Sequence, residues 1–185
     1  MPGQLSGQKI AILVTNGFEQ IELTDPRDAL QDAGAEVDIV SPEKRTVKAW
    51  KLTDWGDSFE VDVALAKARP EDYQALMLPG GVMNPDSLRI DEDAIGFIRH
   101  FVSEGKPIAA ICHGSWTLIE AGAAAGRTMT SYPSLRTDLR NAGAHWVDEP
   151  VVVDRGVVTS RNPGDLKVFN EKMIEVFAAG ARRSV

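Results

Sequence analysis

The alternation of short apolar runs with segments of helical spacing is the feature that most limits how this chain can fold. The runs are rich in Ile, Val, Leu and Ala, as strands buried on both faces are. They lie at residues 9–15, 36–41, 75–78 and 107–111, and helical segments include residues 91–103 and 163–179. Strands that alternate with helices require right-handed crossovers between parallel strands. The sequence therefore predicts an α/β fold with a doubly wound, mostly parallel sheet and helices on both faces.

Turn-forming residues set the predicted limits of the other elements. The first helix is expected to begin at Thr24 or Asp25, because a proline such as Pro26 is favoured in a first turn. The remaining predicted elements are an antiparallel pair at residues 47–52 and 59–65 around a turn at residues 55–57, a helix ending near Gly122, and short strands at residues 128–130, 151–153 and 157–160.

Length and composition narrow the class of protein. The 185 residues suit a single domain, residues 1–185, with one sizeable core. The net charge of -7 is spread without a basic run, so no nucleic-acid partner is expected. No apolar run approaches the roughly 20 residues of a membrane-spanning helix, so no membrane role is expected. With one cysteine and no signal-peptide pattern at the start, we expect a cytoplasmic location.

Cys112 follows directly on the predicted strand at residues 107–111 and precedes a helix that begins near Trp116. A lone cysteine is more often an inert core residue than a nucleophile. A sharp bend between strand and helix, however, pushes its residue out of the sheet edge, as in a nucleophile elbow, although the G-x-S-x-G pattern is absent. The start of the following helix favours the thiolate. We therefore predict that Cys112 is a reactive nucleophile at the mouth of the sheet.

His113 is the first candidate partner of this sulfur. A lone histidine is usually structural, but adjacency to Cys112 favours a role as base or charge partner. The histidines and the cysteine show no paired ligand spacing, so no metal site is predicted. The G-x-G-x-x-G and P-loop patterns are absent as well, and no cofactor is expected.

Two further segments end at the same predicted edge of the sheet. The pair Gly80-Gly81 lets backbone N–H groups approach a reacting carbonyl oxygen, where Gly81 and His113 would form an oxyanion hole. Glu19 and Glu22 follow the first strand, and only one of them can point inward. A carboxyl group buried beside a sulfur would have a raised pKa and could donate a hydrogen bond to a thiolate.

Several short motifs together resemble the PfpI family of intracellular cysteine peptidases and deglycases. The resemblance covers nearly the whole chain and implies a flavodoxin-like fold similar to that of the class I glutamine amidotransferases. The motifs are Ala-Ile-Cys-His-Gly at residues 110–114, Leu-Pro-Gly-Gly at 78–81, Gly-Phe-Glu at 17–19, Thr-Ser-Tyr-Pro at 130–133 and Asn-Ala-Gly-Ala at 141–144.

The resemblance also implies roles for individual residues. Cys112 would be the nucleophile, His113 its partner and Glu19 the acid that tunes the sulfur. Gly81 and His113 would donate to the oxyanion, and Tyr132 would line the same pocket beside Gly80.

Family members assemble as dimers or hexamers, and an acidic residue of a neighbouring subunit completes a Cys-His-acid triad. That position is Asp86 here, where a family peptidase often carries Glu. A carboxylate one methylene shorter must approach closer to orient His113, which weakens the case for peptidase activity. An amidotransferase triad would need a distant His followed by Glu, but His145 is followed by Trp146.

Two functions follow as hypotheses. The first is a stress-related, cysteine-dependent enzyme that acts on a small carbonyl substrate such as methylglyoxal, on early carbonyl adducts of proteins, or, less favourably, on a peptide. Addition of a thiolate to an aldehyde needs no protonated amine leaving group, so a weak triad damages it less than peptide hydrolysis. The second is a non-catalytic redox sensor or holding chaperone, in which Cys112 is oxidised and Glu19 stabilises the product.

Overall fold

A computed structural model describes residues 3–181 and confirms the predicted α/β fold. Its main sheet has seven strands, and all neighbouring pairs are parallel except the antiparallel pair at one edge. In spatial order the strands are β10 (Val151–Asp154), β11 (Val157–Ser160), β7 (Ile108–Ile111), β6 (Ala75–Leu78), β1 (Lys9–Leu13), β2 (Glu36–Ser41) and β5 (Val63–Ala64).

Helices cover both faces of this sheet. They are α1 (Gln20–Asp32), α2 (Met83–Leu88), α3 (Glu92–Ser103), α4 (Ser115–Glu120), α5 (Arg136–Asn141) and α6 (Leu166–Ala181). Successive side chains of a strand point to opposite faces. In β1, Ile10 and Ile12 pack in the core beneath α1 and α6, whereas Ala11 and Leu13 pack in the core beneath α3 and α4. The two cores explain why the strands are apolar throughout.

Two small sheets lie outside the main one: an antiparallel hairpin of β3 (Thr46–Lys51) and β4 (Asp54–Glu60), and a parallel pair of β8 (Thr128–Met129) and β9 (His145–Trp146). The hairpin was predicted, but its second strand spans Asp54–Glu60 instead of residues 59–65. Residues 55–57 therefore lie in β4 and not in the turn, and Val63–Ala64 pairs with β2 in the main sheet. Trp50 pairs with Trp55 edge to face across the hairpin, a cross-strand contact that supports the earlier start.

The predicted start of α1 is also wrong. The helix begins at Gln20, and Pro26 lies inside it. The Gln20 side chain holds the first turn against the hairpin, because its Nε2 donates to Asp57 Oδ2 at 2.7 Å and its Oε1 accepts from Asp57 N at 2.9 Å. This contact between distant segments overrides the local signal of the proline. It places Glu22 in the first turn of α1, facing the sheet.

The carboxyl ends of β1, β6 and β7 meet at one edge of the sheet. The segments that leave these ends, residues 14–19, 79–82 and 112–114, therefore lie side by side, which is where ligands bind in open parallel sheets. Within residues 3–181, no helix combines the length and apolarity needed to span a membrane. The same residues bring together no group of three or more His, Cys, Asp or Glu side chains fit to hold a metal ion.

Candidate active site

Cys112 occupies the bend between β7 and α4, as predicted. Its φ of +60° lies in the left-handed region, which a residue with a side chain adopts at a cost of about 1–2 kcal/mol. A short 3₁₀ turn, Cys112–Gly114, follows and leads into α4. Cys112 is only 6% exposed, so it is buried at the edge of the sheet and does not stand at an open mouth. Strained backbone of this kind typically marks a functional position.

Glu22 is the carboxyl group beside the sulfur. It is fully buried, and its Oε2 accepts a hydrogen bond from Gly80 N at 2.8 Å. Burial raises the pKa of Glu22 to about 8, although the Gly80 N–H and a hydrogen bond with Cys112 oppose the rise. Glu22 is therefore largely protonated at neutral pH, and a carboxylic acid can donate a hydrogen bond to sulfur.

The expectation that Glu19 tunes the sulfur is corrected by this arrangement. Glu19 is partly exposed, and its Oε1 accepts from Leu52 N at 3.3 Å, on the side of the hairpin. The sequence left Glu19 and Glu22 as alternatives, and the misplaced start of α1 hid the choice between them. With the helix beginning at Gln20, the residue that faces inward from its first turn is Glu22.

The Cys112 thiol is coupled to this carboxyl group. Burial raises its pKa, and so does the negative charge of an ionised Glu22, whereas the backbone N–H groups of His113 and Gly81 lower it. The expected preference for thiolate at a helix start is therefore offset by burial. Protonation of Glu22 removes this repulsive charge and supplies a donor in its place, so it favours ionisation of the sulfur against the cost of burial.

His113 lies directly against the sulfur. Its Nδ1 is 3.2 Å from Cys112 Sγ, and its Nε2 is 3.2 Å from Ser134 Oγ. Burial lowers the pKa of His113, so the imidazole is neutral at physiological pH. If its proton is on Nε2 and is donated to Ser134, the lone pair of Nδ1 faces Cys112 and can accept the thiol proton. Ser134 was not among the residues singled out from the sequence.

Aromatic rings hold this imidazole in place. Tyr132 stacks on it with ring centroids 4.7 Å apart, and Trp116 meets it edge to face at 5.2 Å. The Tyr132 N–H also donates to Cys112 O at 3.2 Å, while the residue remains 41% exposed. Tyr132 therefore lies at the site where the resemblance placed it.

The glycine pair fits the site only because it lacks side chains. A Cβ at Gly80 would lie 2.5 Å from Glu22 Oε2 and 2.8 Å from Cys112 Cβ. Gly81 has a φ of +73°, and a Cβ there would lie 2.5 Å from Gly17 O. The structure thus brings Cys112, His113, Gly80 and Gly81 together. Asp86, by contrast, lies exposed in the first turn of α2.

A strained cysteine at the carboxyl edge of a parallel sheet, beside a buried carboxyl group, a neutral imidazole and backbone donors, defines a class of α/β protein with a cysteine-centred site. A sequence profile of the DJ-1/PfpI family matches residues 8–176. The chain belongs to the DJ-1/PfpI family.

Individual relatives agree with this membership. An uncharacterized protein of Staphylococcus haemolyticus, SH1084, is 44% identical over 93% of this chain and 99% of its own. Drosophila melanogaster DJ-1beta superposes with a TM-score of 0.85 at 30% identity, over 94% of this chain and 91% of that one. A two-domain Anabaena variabilis protein with DJ-1/ThiJ/PfpI-like and ferritin-like domains gives a TM-score of 0.84 at 33% identity. In that case 91% of this chain matches 47% of the other, so this chain spans about half its length.

Proposed function

We propose that this protein is a cysteine-dependent enzyme that acts on small α-oxoaldehydes, such as methylglyoxal, and on their early adducts with proteins. The observation that carries the proposal is the shared environment of Cys112 Sγ. A neutral imidazole lies 3.2 Å from it, a protonated Glu22 adjoins it, and the backbone N–H groups of His113 and Gly81 lower its pKa. A base, an acid and oxyanion donors are the groups that addition to a carbonyl needs.

The proposed reaction begins with transfer of the Cys112 proton to Nδ1 of His113. The sulfur then forms a bond to the aldehyde carbon, and the electrons of the C=O double bond move to oxygen. The N–H groups of Gly81 and His113 stabilise that oxygen until it takes the proton back from the imidazolium, which leaves a hemithioacetal.

Movement of the former aldehyde proton to the neighbouring carbon, through an enediol, converts the hemithioacetal into a thioester. Glu22 is the proposed carrier of this proton. Water then hydrolyses the thioester, which releases a 2-hydroxy acid and restores the thiol. One dicarbonyl and one water are consumed for each 2-hydroxy acid formed, and no external oxidant is needed.

Peptide hydrolysis fits the same site less well. It requires an imidazolium that protonates the leaving amine, and burial lowers the pKa of His113. The group at its Nε2 is the hydroxyl of Ser134, which stabilises an imidazolium less than a carboxylate would. We propose that Asp86 of a second copy reaches His113 only in a homo-oligomer, a dimer or hexamer. Slower peptide turnover in Asp86→Asn, with the oligomer intact by light scattering, is the expected result.

A redox-sensing role is the second candidate, and one observation favours it. A protonated Glu22 beside the sulfur could donate a hydrogen bond to a sulfinate oxygen on Cys112. Mass spectrometry after mild peroxide treatment tests it, with Cys112→Ala as the control. Oxidation of other residues while Cys112 stays reduced would contradict a sensor.

The enzyme hypothesis is tested by methylglyoxal consumption in variants that differ by single atoms or groups. Cys112→Ser should lose about a thousandfold or more in kcat/KM, because the hydroxyl is a far weaker nucleophile at this pH. Glu22→Gln should lose about a hundredfold, the usual effect of removing an acid or base. Glu19→Gln, the matched control three residues away, should stay within about twofold of the wild type. An unchanged rate in Cys112→Ser would eliminate the proposal.

A further inference from the structure

Asn84 is a buried polar residue that the proposed chemistry does not use. It lies in the first turn of α2 and is only 1% exposed. Its Oδ1 accepts from Thr15 N at 2.8 Å, and its Nδ2 donates to both Pro79 O and Gly80 O at 3.1 Å. Both amide hydrogens and the amide oxygen are thus engaged. The three hydrogen bonds tie the segment that follows β1 to the Gly80-Gly81 turn.

The backbone that Asn84 holds carries the donors of the site. The Gly80 N–H donates to Glu22 Oε2 at 2.8 Å, and the Gly81 N–H lowers the pKa of the Cys112 thiol. Asn84 fixes the carbonyl group of Pro79, which shares a peptide plane with the Gly80 N–H. It thereby sets the direction of the Gly80 N–H. A peptide plane is rigid, so a bond to the Gly80 carbonyl also orients the Gly81 N–H in the same plane.

We propose that Asn84 is a positioning residue, which aims the Gly80 N–H at Glu22 and the Gly81 N–H at Cys112 by clamping the Pro79 and Gly80 carbonyls. The inference rests on the proposed site but concerns the reactivity of the thiol, whatever its substrate. It also explains the residue type. Aspartate has the same shape, yet its second oxygen would face two carbonyl oxygens where the amide donates to both.

Thiol reactivity measures this role directly, because Cys112 is the only cysteine in the chain. The experiment is the pH profile of Cys112 alkylation by iodoacetamide, read by intact mass, for the wild type, Asn84→Asp and Asn84→Ser. The other charged or titratable groups near the sulfur are Glu22 from α1, Glu19 before α1, and the adjacent His113. All three remain in both variants. Misalignment of the Gly81 N–H should move the alkylation profile to higher pH by about one unit. At neutral pH the alkylation rate would then be about tenfold lower.

Two controls separate positioning from loss of stability. Leu88→Ala truncates a buried side chain of the same helix but leaves the three hydrogen bonds of the Asn84 side chain in place. It should therefore lower the melting temperature without moving the alkylation profile. Asn141→Asp adds the same charge at an exposed position of α5 and should change neither the melting temperature nor the alkylation profile. Asn84→Ser retains a hydroxyl donor for one carbonyl and should give a smaller displacement than Asn84→Asp.

An alkylation profile in both Asn84 variants that superposes on that of the wild type would overturn the inference. So would an equal displacement in Leu88→Ala, because the effect would then follow stability alone. Methylglyoxal turnover by the wild type is measured in a separate assay. A wild type without turnover, but with a displaced Asn84→Asp profile, would refute the enzyme and leave the positioning role standing.

Discussion

Replacement of Glu22 by glutamine should change how the stability of the protein depends on pH. The pKa of Glu22 is 4.5 before folding and about 8 in the folded protein, and each pKa unit corresponds to about 1.4 kcal/mol. A group whose pKa is raised on folding contributes fully below its unfolded pKa, and the contribution is lost as pH rises through the folded pKa. The wild type should therefore lose up to about 5 kcal/mol between pH 4.5 and pH 8 through this one residue.

Glutamine keeps an oxygen for the Gly80 N–H and an N–H for the sulfur, but it carries no titrating proton. Glu22→Gln should thus lack this slope and gain about 4 kcal/mol relative to the wild type from about pH 5 to about pH 8. The gain is a large part of the roughly 5–15 kcal/mol that stabilises a typical domain, so it is easily measured.

Urea denaturation followed by circular dichroism at about pH 5, 6.5 and 8 measures the free energy of unfolding of both proteins. Glu19→Gln is the control for removing a carboxylate, since Glu19 bonds to the hairpin and its charge raises the pKa of Glu22 less than burial does. Only replacement of Glu22 should remove the loss of unfolding free energy between about pH 5 and about pH 8. If the curves for Glu22→Gln and the wild type run parallel across this range, the carboxyl group does not hold a proton in the folded protein, and the account of the sulfur's ionisation fails.

Three further predictions use other contacts. Gly80→Ala should destabilise the protein by about 1–3 kcal/mol and lower alkylation of Cys112, since the added Cβ would press on Glu22. Thermal denaturation and intact mass measure the two effects, and a melting temperature equal to that of the wild type would contradict the prediction. Ser134→Ala should lower kcat/KM for methylglyoxal about threefold to tenfold by freeing the His113 ring, and an unchanged value would remove Ser134 from the site. Lys106→Met should cost about 1–3 kcal/mol in urea denaturation, because Lys106 Nζ donates to the carbonyls of Pro70, Glu71 and Tyr73; equal stability would contradict it.

The sequence predicted the main sheet well because burial on both faces leaves a strong pattern. Apart from the short edge strand β5, which was expected to be part of the antiparallel hairpin, each parallel strand appears as an apolar run that ends in turn-forming residues, and the bend at Cys112 follows from its place after one of them. The starts of α1 and β4 were missed for a different reason. Both depend on contacts between distant segments, Gln20 with Asp57 and Trp50 with Trp55, which no local rule contains.

The residues of the site also divide into those marked by a local sequence pattern and those that depend on contacts between distant segments. Cys112, His113 and the glycine pair lie at predicted strand ends, so their meeting could be inferred from topology. The choice of Glu22 over Glu19 depended on which residue of one helical turn faces the sheet. Asn84 and Ser134 gave no signal, because an asparagine or a serine near a turn is ordinary in any sequence. Only their bonds, to the Gly80 carbonyl and to His113 Nε2, distinguish them.

If all turnover passes through the sulfur of Cys112, stoichiometric labelling of that sulfur should abolish it. The single cysteine lets intact mass give the fraction of protein alkylated by iodoacetamide while methylglyoxal consumption is measured on the same sample. Activity should fall in proportion to the labelled fraction and reach zero when every Cys112 carries the label. Activity that persists in fully labelled protein would contradict this prediction.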